Sequence, residues 1–448
     1  METLMKNNIR SSVVRAVIFL AITFGSTVVG ALSKGNGVGT ASAATAVSGE
    51  ILVKLRSGDA IAPLLTRYGL TLKSRFGGRP IFRLGVGPLG DVRATIEALR
   101  LEPEVLIAEE NALNASPEAR KNRVFAIGTR QDYTSDQWAL SALRLTAAHA
   151  VSTGQGIRVA VLDTGVDTRH PDLRGRLVAG YDFVDGDMDA SEVGSGQDIG
   201  FGHGTHVAGI VARAAPGAMI MPLRVLDAQG RGNAWVLADA ILFAVDPDGN
   251  PATDDGAQVI NMSLGSPDRT KILDTVARLA SCSIPAVPDP LEPADDLSDP
   301  GYNADKLRCG LRRGAALLAA AGNDASASRE YPAAEGAYGL VAIGASNAVG
   351  HLAAFSNFGS WVHFVAPGED ITSSVPGGGY GTWSGTSMAT PWASAAAALM
   401  LASDPLLTPK EAVRRLARTA SPLCGTALGQ LDPLAALLGS EPAAGACN

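Results

Sequence analysis

Beyond Trp138 the chain repeats one pattern: short, mostly apolar runs with apolar residues on both faces alternate with longer stretches of helical character. The runs are Ile157 to Leu162, Ile220 to Leu226, Val259 to Leu264, Ala315 to Ala321 and Leu340 to Ala345. A strand with no polar face has to be buried on both sides, and strands separated by helices run parallel, so the pattern predicts an α/β fold whose mostly parallel sheet lies between helical layers. In that architecture ligands and reacting groups collect beyond the carboxyl ends of the strands, and the polar residues there are the ones to question. At 46% hydrophobic and 18% charged residues, the 448-residue chain has the apolar surface such a core needs, which excludes disorder as its general state.

Four strand-end segments stand out. Asp163 follows Arg158-Val159-Ala160-Val161-Leu162 directly and precedes Thr164-Gly165, where loop amides can hold a carboxylate that orients an imidazole. His203 stands in Gly202-His203-Gly204-Thr205-His206, with small residues leading into a helix. Asn323 ends the run Ala319-Ala320-Ala321-Gly322, and Ser387 opens a helix in Gly385-Thr386-Ser387-Met388-Ala389-Thr390-Pro391, where backbone N–H groups can receive negative charge. Each segment alone is as readily a turn or a cap. Together, in the chain order Asp, His, Ser, they resemble the subtilisin-like serine peptidases over roughly Gln137 to Leu437. An α/β-hydrolase would need G-x-S-x-G and its serine first.

The resemblance implies a three-layer subtilisin-like domain and a peptide-bond hydrolase. Ser387 is then the nucleophile, His203 the general base, and Asp163 the group that orients the imidazole and stabilises its imidazolium form. Asn323 and the Ser387 N–H stabilise the oxyanion. It also implies that Ser263-Leu264-Gly265 and the facing Gly230-Arg231-Gly232 clamp an extended substrate as an added strand. Glu330, before Tyr331-Pro332, matches a family position at the floor of the pocket for the residue preceding the cut, where a carboxylate favours Lys or Arg. Family members usually continue after the proline with His-Val-Ala-Gly. Here Trp392-Ala393-Ser394-Ala395 follows Pro391, which predicts altered packing under the helix.

Asp182, Asp185 and Asp187 resemble a calcium loop of some family members, and Asp246, Asp248, Asn250, Asp254 and Asp255 form a second oxygen-rich turn. Structural calcium is thus expected as an option, and solvated acidic turns are the alternative. No cofactor is required for the chemistry. His206 and Asp167 are read as packing and loop groups, and no H-E-x-x-H helix supports zinc. Cys282, Cys309, Cys424 and Cys447 lack C-x-x-C spacing, and pairings 282–309 and 424–447 are favoured over free thiols. The first pair brackets a Pro- and Asp-rich insertion, Pro285 to Asp305, with little helical or strand character.

The front of the chain differs. Lys6, Arg10 and Arg15 precede an apolar run from Ala16 to Leu32 and then small residues to Ala46, so residues 1–46 read as a secretory signal peptide, with an uncleaved anchor as the alternative. Either sends the remainder out of the cytosol. Residues 47–115 carry a βαββαβ pattern, a ferredoxin-like module that resembles subtilase propeptides, which fold and temporarily inhibit the enzyme. Residues 116–136 are polar, carry Arg120, Lys121, Arg123 and Arg130, and read as an exposed processing linker before a catalytic part at 137–448.

Residues 1–130 hold 17 Lys and Arg against 10 Asp and Glu, and residues 131–448 hold 20 against 34. The whole-chain charge of -7 therefore sums a basic front and an acidic back, which favours their docking and argues against a nucleic-acid partner. The expected product is a monomeric secreted endopeptidase that acts on polypeptides and is made as a self-processed precursor. A catalytically idle peptide-binding or inhibitory protein on the same scaffold is the competing reading.

Overall fold

The structure, a computed structural model, describes residues 45–119, 126–128, 137–283, 300–311, 313–335 and 339–442. All but the last two residues of the signal segment, most of the processing linker, most of the insertion and Cys447 lie outside these residues. The front module is β1 (Ala46–Leu55), α1 (Ile61–Tyr68), β2 (Thr71–Arg75), β3 (Ile81–Gly85), α2 (Val92–Leu99) and β4 (Val105–Ala115). Asp91 caps α2, accepting the Ala94 N–H at 3.1 Å. The strands pair antiparallel in the order β2-β3-β1-β4, the ferredoxin-like arrangement expected of βαββαβ.

A short strand β5 (Ala126–Gly128) leads to helices α3 (Trp138–Ala142) and α4 (Leu145–Val151). The main sheet follows with β6 (Arg158–Asp163), β7 (Tyr181–Asp182), α5 (His203–Ala214), β8 (Met219–Arg224), the outlying β9 (Arg231–Asn233), α6 (Ala234–Val245), β10 (Val259–Met262) and α7 (Lys271–Ala280). Then come α8 (Pro300–Leu311), β11 (Ala316–Ala320), β12 (Leu340–Ser346), β13 (Phe364–Pro367), the hairpin β14 (Ile371–Val375) and β15 (Gly379–Trp383), and α9 (Thr386–Ser403). The described chain closes with α10 (Pro409–Arg418), β16 (Ser421–Pro422), β17 (Gly429–Gln430) and α11 (Pro433–Leu438). The sheet has the order β16-β17-β13-β12-β11-β10-β6-β8-β7. Apart from the edge strand β16, which pairs antiparallel with β17, its strands are parallel.

Two core layers explain why the strands are apolar on both faces. In β6, Val159 and Val161 face the layer built on α5 and α9, whereas Ala160 and Leu162 face the layer built on α6 and α7. The second layer also takes in the front module. Ile51 and Val53 of β1 point to that module's own helices, while Leu52, Phe76, Ile81, Ile107 and Ala112 join the α6 and α7 layer. Phe76 stacks on Trp235 with ring centroids 3.9 Å apart. Front-module side chains also cap both helices: Asn111 Oδ1 accepts the Trp235 N–H, and the Glu109 carboxylate accepts the Lys271 and Ile272 N–H groups.

Cys282 and Cys309 form a disulfide that ties α8 to the end of α7. Cys424 is disulfide-bonded as well. Residues 300–311, partly inside the insertion read as neither helix nor strand, are helical. The local composition of the segment hid them. Arg308 in this helix reaches the Leu279 carbonyl at 2.6 Å, a tertiary anchor invisible to periodicity. Among the described residues no helix is long and apolar enough to cross a membrane.

Candidate active site

Asp163 is the last residue of β6, and the turn after it needs Gly165 at φ 101. Asp163 Oδ1 accepts the Thr164 N–H at 2.8 Å and the His203 Nδ1–H at 2.7 Å. His203 opens α5 and brings that helix close to the Asp163 loop. A Cβ on Gly204 would stand 2.1 Å from the Gly165 carbonyl oxygen, so a side chain there would push the imidazole off its carboxylate. His206, one turn along, is held by the Ile371 and Gly381 carbonyls and stacks on Trp383 at 4.5 Å. Burial pushes its imidazole down to about 3, and it serves the hairpin β14–β15 as a neutral strut.

Ser387 lies in the first turn of α9. Pro391 has no N–H to give the Ser387 carbonyl four residues back. The Ser263 hydroxyl fills the vacancy at 2.9 Å, and Asn261 Nδ2 donates to Ser263 in turn. The Ser387 backbone is thereby tied to Ser263-Leu264-Gly265. Ser394, one of the departures from the family pattern, donates to Asn261 Oδ1 at 2.9 Å and completes this chain, while Trp392 is buried under the helix. Asn323 sits just beyond β11. Its Oδ1 accepts both the N–H and the hydroxyl of Thr386, which turns its Nδ2 toward the cleft beside Ser387.

The cleft beside these groups holds part of the chain itself. Leu113, Asn114 and Ala115 pair with Asn233, Gly232 and Arg231 on one side. On that same side the Ser116 N–H reaches the Gly230 carbonyl at 3.0 Å, and on the other Ala115 exchanges both backbone hydrogen bonds with Gly265, at 3.0 and 2.9 Å. Both segments picked out as a substrate clamp therefore grip the end of β4. Ser116 and Glu118 are buried, although the linker was expected to be exposed from residue 116. These two side chains are spent on the cleft, and local polarity does not reveal that.

Glu118 escaped the sequence reading altogether. Its Oε2 accepts from Ser387 Oγ at 2.6 Å and from His203 Nε2 at 3.0 Å, and its Oε1 accepts from Asn323 Nδ2 at 2.7 Å. Burial alone would lower His203, but Asp163 and Glu118 on its two nitrogens push it up to about 10, so it stands as an imidazolium. Burial alone would raise Glu118, yet its hydrogen bond to His203 and that ring's charge hold it below the usual carboxylate value. A Cβ on Gly385 would lie 1.8 Å from Glu118 Oε1, so only glycine leaves this seat open.

Glu192, also unforeseen, lies behind Asp163 and His203. Its carboxylate accepts from Thr164 Oγ1 at 2.5 Å, Gly202 N at 2.9 Å, Thr205 N at 3.2 Å and Thr205 Oγ1 at 2.7 Å. Burial, with the charge of Asp163 adding to it, lifts this carboxyl to about 7 against the opposing hydrogen bonds. Glu330 is 4% exposed and lies against Gly322, whose Cβ would meet Glu330 Cγ at 2.8 Å. That puts a carboxylate beside the wall that leads to Asn323.

The acidic turns are less uniform than their sequences. Asp182 Oδ1 accepts two loop amides, from Val184 and Asp185, and its Oδ2 meets Arg224 Nη1 at 2.6 Å. Arg224 also pairs with Asp185, and Asp187 Oδ1 accepts the Asp189 N–H. Both Asp182 oxygens are engaged and the cation shared by Asp182 and Asp185 is a guanidinium, which does not fit a calcium loop. Carboxylate oxygens of Asp246, Asp248 and Asp255 do approach one another within 4.8 Å.

Comparison with known proteins agrees with this geometry. The Subtilase family matches residues 154–437 and the Fervidolysin N-terminal prodomain matches residues 33–111. The chain is 33% identical over 377 residues to the thermophilic serine proteinase of Bacillus sp. (strain AK1), covering 79% of this chain and 78% of that protein. It is 35% identical over 301 residues to subtilisin BL of Lederbergia lenta, covering 65% of this chain and 93% of the relative. In fold it resembles fervidolysin from Fervidobacterium pennivorans, a keratinolytic enzyme related to subtilisin, with a TM-score of 0.65 at 24% identity. That match covers 90% of this chain and 62% of the fervidolysin chain. The chain is a serine endopeptidase with an attached prodomain, and it belongs to the subtilase family.

Proposed function

We propose that the chain is a secreted endopeptidase that works through Asp163, His203 and Ser387, with Asn323 in the oxyanion site, and is made as a precursor whose prodomain is its first occupant. The observation that carries this reading is the convergence of Ser387, His203 and Asn323 on one carboxylate. Three groups from three elements share a point that a reacting carbonyl would otherwise occupy. With that point vacated, Ser387 Oγ attacks the substrate carbonyl and its proton passes to His203 Nε2. Asp163 compensates the resulting imidazolium, and Asn323 Nδ2 with the Ser387 N–H holds the oxyanion. Collapse expels the amine, which takes the proton from His203 and leaves an acyl-enzyme. Water then enters by the same route in reverse and releases the acid.

Ser387→Ala is expected to lower turnover at least about 10⁴-fold while the melting temperature stays near that of the parent. Full activity in that variant, or absence of Ser387 labelling by a fluorophosphonate in the parent, removes the assignment. Glu330 supports a preference for Lys or Arg before the cut, because a buried carboxylate at the pocket wall gains most from a cation. Glu330→Gln is expected to reduce the ratio of kcat/KM for Arg over Leu peptides about tenfold or more. An unchanged ratio rejects the preference. Export is supported by the signal-like residues 1–46 and by the 282–309 disulfide. Calcium is kept only for the turn of Asp246, Asp248 and Asp255.

A further inference from the structure

We propose that the side-chain carboxylate of Glu118 is an intramolecular ligand of the catalytic centre, and that this side chain keeps the uncut precursor latent. The inference rests on the assignment of Ser387, His203 and Asn323 made above. The end of β4 runs through the cleft as a substrate would as far as Ser116. There the backbone leaves the substrate path, because the Ala119 N–H bonds back to the Ser116 carbonyl at 3.1 Å and closes a turn over Pro117 and Glu118. Asn323 Nδ2, the oxyanion donor, is engaged by Glu118 Oε1 instead of a main-chain carbonyl. The covalent chain is therefore continuous across the site, and a side chain takes the place of the scissile group.

One carboxylate disables three functions. Ser387 donates its proton to Glu118 Oε2, so the hydroxyl hydrogen points away from its base. His203 donates its Nε2–H to the same oxygen and has no lone pair there to accept a proton. The oxyanion site is filled by a real anion, the charge it is built to favour. The close approach to Gly385 and the full burial of Glu118 leave no room for a peptide beside it. Glu118 is thus the specific contact at the chemistry, whereas the paired strand 113–116 supplies the general docking.

The test uses the full chain with the prodomain attached. Folded precursor and processed enzyme are separated by size after a timed pulse of fluorophosphonate, in the parent and in Glu118→Ala. Parent precursor is expected to label at least about 100-fold more slowly than processed enzyme, and Glu118→Ala precursor at least about tenfold faster than parent precursor. Equal labelling of the two precursors, whether both fast or both slow, overturns the proposal; both slow would mean that strand 113–116 blocks the site unaided. Failure of precursor and processed enzyme alike to label removes the catalytic assignment and this inference with it. Should Glu118→Ala lack a cooperative melting transition, Glu118→Gln, which keeps the size and loses the charge, takes its place: faster labelling of its precursor supports the proposal and labelling equal to the parent overturns it.

Discussion

Glu118 and Glu192 approach the catalytic pair from opposite sides, one supplied by the prodomain side of the chain and one by the catalytic domain. Glu118 is held by Ser387, His203 and Asn323, all groups of the proposed catalytic site. Glu192 is held by backbone N–H groups and threonine hydroxyls that flank Asp163 and His203 without reacting. Part of the Glu192 side chain reaches the surface, but its carboxylate lies deep and faces the charge of Asp163, so it is raised, while the charge of His203 lowers Glu118. The same chemical group builds the site from behind and shuts it from in front. What separates the two roles is the cation each can see.

The largest expected effect breaks the rear contact. Glu192→Ala strips four donors of their acceptor and frees the start of α5 from the Asp163 loop, and a displacement of about 1 Å at the catalytic pair lowers kcat about 100-fold. KM stays near the parent value, since the clamp segments 230–232 and 263–265 are untouched. Steady-state kinetics of the processed enzyme decide it, and a change confined to KM would show that Glu192 does not position the pair.

A smaller effect separates the two glutamates by pH. In the uncut Ser387→Ala precursor, Glu118 titrates below 4.5 when folded, so its stabilisation is present above 4.5 and lost as pH falls through the lowered value. Its partner His203 is raised from 6.5 to about 10, so that contribution is complete below 6.5 and lost as pH rises through about 10. The melting temperature added by Glu118 over Glu118→Gln is therefore expected to be greatest between 4.5 and 6.5 and to shrink on both sides. Glu192 behaves oppositely, being raised from 4.5 to about 7. Its contribution is present below 4.5 and lost as pH rises through about 7, at no more than about 1.4 kcal/mol per pH unit. Glu192→Gln should flatten that stretch of the stability profile, and parallel profiles would show that its carboxyl does not titrate there.

The sheet, its order of chemistry and the groups at its strand ends were legible because each rests on a short local segment: Asp163 on β6, His203 at the start of α5, Ser387 at the start of α9. Glu118 was not legible. It lies in a polar stretch with four basic residues, and its meaning comes from a serine 269 positions away. Glu192 sits in a loop of Gly, Ser and Asp where one more acid carries no signal. Asp182 and Asp185 looked like a metal loop because the guanidinium that answers them, Arg224, lies about forty residues on at the end of β8. Composition reports charges along the chain, whereas a site is decided by charges across it.

The Phe76–Trp235 stack gives this enzyme a built-in optical reporter. Trp235 is 5% exposed, with Phe76 on its ring and the Arg83 guanidinium 5.7 Å from its centroid, both contributed by the front module. When that module departs, this indole meets water, and its fluorescence maximum should move to longer wavelength. Maturation can then be timed by light on the unlabelled protein, through a residue that has no part in the chemistry.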